Sequence, residues 1–156
     1  MITIDIPGWG PLRLEHVVLD YNGTLAVGGN LLPGVAERLR RLSTDLAVHV
    51  LTADTFGKVR EEMVGIPCRL SVLPPGGQDR AKLEYVQRLN ADRVCAIGNG
   101  RNDRRMIEAA ALGIAVILGE GAAAATMEAA DVVCRSIEDA LDLLLHPLRL
   151  TATLRT

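Results

Sequence analysis

The sequence predicts an α/β fold: three layers, with a parallel sheet covered by helices on both faces, preceded by a β-hairpin. Three observations predict it. Short apolar runs rich in β-branched residues recur along the 156-residue chain, helical patterns separate them, and each run is nearly continuous rather than alternating. A strand that is apolar on both sides must be covered on both sides, and strand–helix alternation of this kind specifies parallel pairing through right-handed crossovers.

In chain order, residues 2–6 and 12–14 flank Gly8-Trp9-Gly10 and read as the added hairpin. The strands of the main sheet fall at 17–19, 46–51, 70–73, 94–97, 114–118 and 132–134. Pro33 supplies a helix-starting signal before Val35, Leu39 and Leu42, and Leu83, Val86 and Leu89 mark a second apolar stripe. Further helices are expected over 55–63, 102–111, 122–130 and 137–145. Ser136 introduces the last of them, with Asp139 three residues on, the spacing of a capping box. Leu148, Leu150, Ala152 and Leu154 alternate with polar residues, which predicts an edge strand or a frayed end.

Length and a hydrophobic content of 49% fit a single domain over 1–156 with a real core. A formal charge of -2 and the lack of any Lys/Arg run exclude a broad nucleic-acid face. Cys68, Cys95 and Cys134 are odd in number and embedded in apolar stretches, which reads as thiols of a reducing compartment. His16, His49 and His146 are scattered, so no histidine metal site is expected. The first residues lack the basic start and apolar run of a signal peptide. The most apolar stretch, 109–118, is shorter than the roughly 20 residues that cross a bilayer. A cytoplasmic protein without a membrane partner is expected.

In an open parallel sheet, ligands collect beyond the carboxyl ends of the strands, so polar residues there carry the most information. Asp20 follows the first strand, Thr52 the second, Lys82 lies in a helical start after Gly76-Gly77, and 99–103 follow the fourth. The turn Tyr21-Asn22-Gly23-Thr24-Leu25 lets an acid at a strand tip point into a crevice beside backbone amides, a geometry that suits phosphate. A carboxylate can form an acyl phosphate and so divide one hard substitution into two easier ones, provided cations offset the repulsion between anions. Lys82 and Mg²⁺ would supply that offset, Thr52 a hydroxyl donor, and Asp103 a hard oxygen of the kind Mg²⁺ prefers. Singly, each residue reads as a cap, a turn or a solvated charge; the combination in this order is what points to chemistry.

Asp20-Tyr21-Asn22-Gly23-Thr24, Thr52, Lys82 and Gly98-Asn99-Gly100-Arg101-Asn102-Asp103 together resemble the four motifs of the haloacid dehalogenase superfamily, over about residues 16–135. The stretch from Gly98 through 113–116 to 128–133 is similar to the phosphorylation domain of P-type ATPases, hence to their soluble phosphatase relatives. The resemblance implies a Rossmann-like three-layer fold and a Mg²⁺-dependent phosphatase that works through an aspartyl phosphate. It implies catalytic roles for Asp20 and Lys82, phosphate binding by Thr52, Lys82, Gly23 and Ala53, and metal ligation by Asp20, Asn22, Asn99 and Asp103.

Two positions depart from the commonest family pattern. Asn22 stands where a general acid/base Asp is usual, and Asn99 where an Asp usually ligates the metal; both precede glycine, a pair that also favours tight turns. Asn22 cannot shuttle a proton, so a slow enzyme acting on a small phosphorylated substrate with a good leaving group is expected. The alternative is a catalytically weakened phosphate-binding regulatory or assembly protein of the same fold; a receiver-like phosphoacceptor is disfavoured by the segment 98–103. About 30 residues separate the first motif from the second and the second from the third, too few for a cap domain. An uncovered site suits either a large substrate or closure by another copy, so a homo-oligomer is expected. Arg101, Arg104 and Arg105 flank the last motif and could hold a substrate anion, but arginines on a helix surface are more often solvated, and they are left outside the expected site.

Overall fold

The structure, a computed structural model that describes residues 1–54 and 57–156, begins with an antiparallel hairpin of β1 (Ile2–Ile6) and β2 (Gly10–Leu14). Ile4, Ile6, Leu12 and Leu14 are its buried residues, so strict alternation gives this ribbon one core face. There follow β3 (His16–Asp20), a two-stranded flap of β4 (Ala26–Val27) and β5 (Asn30–Leu31), α1 (Val35–Leu42), β6 (Ala47–Thr52), α2 (Val59–Glu62) and β7 (Arg69–Val72). The second half comprises α3 (Gln78–Arg88), β8 (Val94–Gly98), a 3₁₀ turn at Arg101–Asp103 running into α4 (Arg104–Ala109), and β9 (Leu112–Val116). It closes with α5 (Ala124–Ala129), β10 (Val132–Cys134), α6 (Ile137–Leu145) and α7 (Pro147–Leu154). The first two positions of the helix expected over 55–63 lie outside the described residues.

The main sheet has the order β10-β9-β8-β3-β6-β7, and every pairing in it is parallel. Its inner strands are apolar on both sides because they feed two cores. Val17 and Leu19 of β3 enter one core while Val18 enters the other, and Cys95 and Ile97 of β8 divide from Val94 and Ala96 in the same way. Helices α1 and α6 pack together, as do α3 with α4 and α4 with α5. The edge strands carry exposed apolar residues, Val72 on β7 and Val133 on β10.

Two elements differ from expectation. The strand expected at 114–118 is Leu112–Val116, because its register on β8 pairs Cys95 with Leu112 and Gly98 with Ala115. Gly113 permits that strand to lie against α4: a Cβ there would stand 2.6 Å from the Ile107 carbonyl oxygen. The tail is a helix, α7, rather than an edge strand or a frayed end. Pro147 occupies its first turn, where a missing N–H costs nothing, and Leu150 and Leu154 share one face at a spacing of four. That face packs on β1 and α6, and the Thr156 N–H donates to the Pro7 carbonyl at 3.1 Å. Ser136 caps α6 as expected, its Oγ accepting the Asp139 N–H at 3.0 Å.

From the central β3 the chain runs outward through β6 and β7, then crosses to β8 and continues through β9 to β10. The direction reverses between β3 and β8. A crevice therefore opens beyond the carboxyl ends of these strands, and Asp20, Thr52 and Asn99 stand at its rim.

Candidate active site

Asp20 ends β3 and is 7% exposed. Lys82, on the first helical turns of α3, is 1% exposed and lies between two carboxylates: Nζ donates to Asp20 Oδ1 at 2.7 Å and to Asp103 Oδ1 at 2.6 Å. Burial, followed by the neighbouring Asp103 charge, pushes the Asp20 carboxyl up to about 7, against the opposing pull of Lys82 and Thr24. Burial depresses the Lys82 ammonium, but the two carboxylates outweigh it and hold the group above its ordinary value. Lys82 is thus a fixed cation, and Asp20 a carboxyl poised between its two protonation states near neutrality.

Asp103 is fully buried. Besides the Lys82 ammonium, it accepts the N–H groups of Asn99 at 3.0 Å and Gly100 at 2.8 Å through Oδ2, so three of its roughly four acceptor positions are in use. Gly98 makes room for this: a Cβ there would lie 2.5 Å from Asp103 Cγ. The sequence groups Asp103 with metal ligands, whereas the structure puts it behind Lys82, off the cavity wall, where it holds the ammonium and the 98–103 turn.

A cavity of about 140 Å³ opens in front of this pair, lined by Asp20, Asn22, Thr52, Ala53, Lys82 and Asn99, with Gln78, Gly100 and Asn102 completing the wall. Thr52 Oγ1 accepts the Asp54 N–H at 2.9 Å, and Asn22 Nδ2 lies 3.5 Å from it. Asn22 Oδ1 is buried without a partner among the described residues. Ala53 is part of the cavity wall. Gly23 does not: its N–H donates to the Ala26 carbonyl at 2.7 Å, so that amide is spent inside the turn, and the phosphate-binding role expected of it is corrected. Its part is spatial, because at φ +81 a Cβ would stand 2.4 Å from Asn99 Nδ2.

Asn99 is held at both ends. Nδ2 donates to the Gly121 carbonyl at 2.9 Å, which turns Oδ1 toward Thr24 Oγ1 at 3.2 Å. An aspartate here would set a carboxylate against the Gly121 oxygen. Two more bonds clamp the same loop, from the Ala123 N–H to the Asn99 carbonyl and from Thr126 Oγ1 to the Gly100 carbonyl, each 2.8 Å. Thr24, fully buried, also lies 3.1 Å from Asp20 Oδ2, so its single proton is shared between two acceptors. Sequence reasoning left out Thr24, Gln78 and Asn102. A hydroxyl four residues after the strand-tip acid was the available signal for Thr24.

No group of three His, Cys, Asp or Glu side chains able to hold a metal occurs among the described residues. The cysteines are free; burial pushes the Cys95 thiol up, and raises Cys134 to about 11. His49 lies mid-strand on β6 in contact with His16 and Tyr85, away from the cavity. No helix is long and apolar enough to cross a membrane among the described residues.

The profile of the haloacid dehalogenase-like hydrolase family matches residues 78–141, which carry Lys82, Asn99 and Asp103. An uncharacterized protein of Methanocaldococcus jannaschii, MJ0073, is 44% identical over 84 residues, or 51% of this chain and 90% of that protein. Among solved structures, a cobalt-bound deoxy-D-mannose-octulosonate 8-phosphate phosphatase from Haemophilus influenzae is similar with a TM-score of 0.71 at 16% identity, covering 92% of this chain and 94% of that one. The corresponding Moraxella catarrhalis enzyme, crystallised with magnesium, phosphate and KDO, gives 0.68 at 15% identity, covering 85% and 86%. The chain belongs to the haloacid dehalogenase superfamily of hydrolases.

Proposed function

We propose that this hydrolase is a phosphatase in which the Asp20 carboxylate attacks phosphorus, with a divalent cation of the Mg²⁺ kind as cofactor. The observation that carries the reading is the Lys82 ammonium, bonded to Asp20 and Asp103 at the edge of a cavity with room for a phosphoryl group. Asp20 Oδ forms a bond to phosphorus as the ester P–O bond breaks, and the leaving oxygen takes the bonding electrons. Water then attacks the same phosphorus, releasing inorganic phosphate and the free carboxylate, with its proton passing to solvent. Lys82 offsets charge on the phosphoryl oxygens, and Thr52 offers them its hydroxyl proton.

The residues present fit a hard cation. The cavity offers oxygen donors in Asp20, Asn22 and Asn99, and the orphaned Asn22 Oδ1 is a buried acceptor that a ligand would satisfy. Those three would hold the ion, which when bound would add positive charge beside the phosphoryl group. With Asp103 engaged elsewhere, one carboxylate faces the cavity, so tight metal binding is expected only once phosphate is present. Asn22 is uncharged and cannot protonate the leaving group, which favours esters or anhydrides that leave readily. The same two asparagines support a second reading, a phosphate-binding protein of this fold with little turnover. The open mouth of the site supports closure by a second copy, which sedimentation of the purified chain would register.

Hydrolysis of p-nitrophenyl phosphate with and without Mg²⁺ separates these readings. We expect metal-stimulated turnover that falls at least about a thousandfold in Asp20→Asn, as for loss of a catalytic nucleophile. Unchanged hydrolysis in that variant would overturn the proposal, and tight binding of a phosphate mimic without turnover would favour the second reading.

A further inference from the structure

A second cavity, of about 670 Å³, opens beside the phosphoryl-sized one, and its wall includes Gln78, Asp79, Arg101, Asn102, Arg104 and Arg105. Gln78 and Asn102 line both cavities, and Asn102 Nδ2 donates to Gln78 Oε1 at 2.9 Å, so this amide pair is their shared partition. Three arginines and one acidic residue, Asp79, line the larger space. Arg105 is held by the Asp79 carboxylate at 3.3 Å, whereas Arg104 reaches Glu108 only at 3.9 Å. Arg101 has no ion-pair partner among the described residues.

These arginines are placed by the chemistry next door. Arg101 and Arg104 flank Asp103 on the turn whose amides and carboxylate orient Lys82. A phosphoryl group on Lys82 and an anion on the guanidinium groups would therefore be held by α3 and by the turn that the Asp103 carboxylate ties to it. Exposure alone would leave such side chains solvated, but a concave wall of excess positive charge opening onto a phosphoryl site selects the rest of a substrate.

We propose that the larger cavity receives the leaving-group half of the substrate, and that Arg101 and Arg104 bind a second anion on it. The substrate class is then a phosphate ester whose leaving group carries a carboxylate or another phosphate, groups that match the planar guanidinium fork. This rests on the phosphatase reading above and adds the substrate's charge to it.

The test compares 4-carboxyphenyl phosphate with 4-carbamoylphenyl phosphate, which has the same shape and the better leaving group but no second charge. Phenylene 1,4-bisphosphate forms a third arm that tells carboxylate from phosphate. We expect a kcat/KM at least about tenfold higher for one or both charged esters than for the amide, as one charge-assisted contact confers. The ratio should fall to about one in the Arg101→Ala/Arg104→Ala double variant, shrink with added salt, and persist in Arg41→Ala, which removes an exposed cation from α1. Ratios near one in the unmodified protein, or ratios that survive the double substitution, would overturn the inference while leaving the phosphatase reading intact. Failure of all three esters to turn over would sink the phosphatase reading, and the groove would then be judged by calorimetric binding of the same esters. Tighter binding of a charged ester that the double variant loses supports the groove, and equal affinity for all three overturns it.

Discussion

Lys82 concentrates the electrostatics of the site at one atom. A single buried ammonium keeps apart two carboxylates that would otherwise face each other out of water, and each partner alone would be expensive to bury. Lys82→Met keeps the length of the side chain but strands both acids. We expect it to lower the free energy of urea unfolding by about 3–5 kcal/mol, as for a broken buried pair, and to abolish turnover. Asp20→Asn leaves Lys82 paired with Asp103 and removes the carboxyl that burial disfavours, so its unfolding midpoint should match or exceed that of the unmodified protein. A Lys82→Met protein of undiminished stability would contradict this account of the triad. Asn22 presents the converse case, a group that lacks a charge the chemistry could use. Asn22→Asp should raise kcat/KM on alkyl phosphates relative to p-nitrophenyl phosphate by roughly 10² to 10⁴, the usual range for general acid–base catalysis. A steady-state comparison showing no change in that ratio would exclude the lack of a proton donor at Asn22 as a limit on alkyl phosphate hydrolysis.

Between elements, the contact of β6 with α3 carries a pH dependence of its own. His49 Nε2 lies 3.1 Å from His16 Nδ1, and His49 Nδ1 lies 2.9 Å from the Tyr85 hydroxyl. Burial, then the neighbouring His16 and Arg69 charges, lower His49 from 6.5 to about 4. Between those values the unfolded chain binds a proton that the native one refuses, so stability falls as the pH drops from about 6.5 to 4, by up to roughly 3 kcal/mol. Asp20 works the other way, since a carboxyl raised to about 7 takes up its proton in the native state first. The difference between the unmodified protein and His49→Gln cancels the Asp20 contribution. Chemical unfolding across that window should show the gap narrowing as the pH falls, and a gap independent of pH would contradict the burial argument. The types of these elements were legible because inner strands must be apolar on both faces, while their ends were not. The stripe read as Leu83, Val86 and Leu89 omits Lys82, which shares the buried side of α3 with Val86, and no hydrophobic pattern detects a buried cation. The tail misled in the same way: Leu148 is exposed although it continues the alternation, and Leu150 is buried because α7 turns it onto α6 and β1.

Across the whole molecule, the reversal of strand order gathers residues as far apart as Asp20 and Asn102 around one cavity. That gathering was legible in the sequence, since strand-end polar residues in a parallel sheet have few places to go except the same crevice. Several things depended on three-dimensional detail that spacing does not carry. Among them are the bond that removes the Gly23 amide from service, the withdrawal of Asp103 behind Lys82, and the Gln78–Asn102 partition between two cavities. The central claim is that phosphorus becomes covalently attached to Asp20 during turnover. Hydroxylamine added to the protein while it hydrolyses p-nitrophenyl phosphate, followed by peptide mapping, tests it directly, because an acyl phosphate is captured as a hydroxamate. The account predicts a hydroxamate at Asp20 that requires substrate; continued hydrolysis with Asp20 unmodified, or capture at another carboxylate, would contradict it.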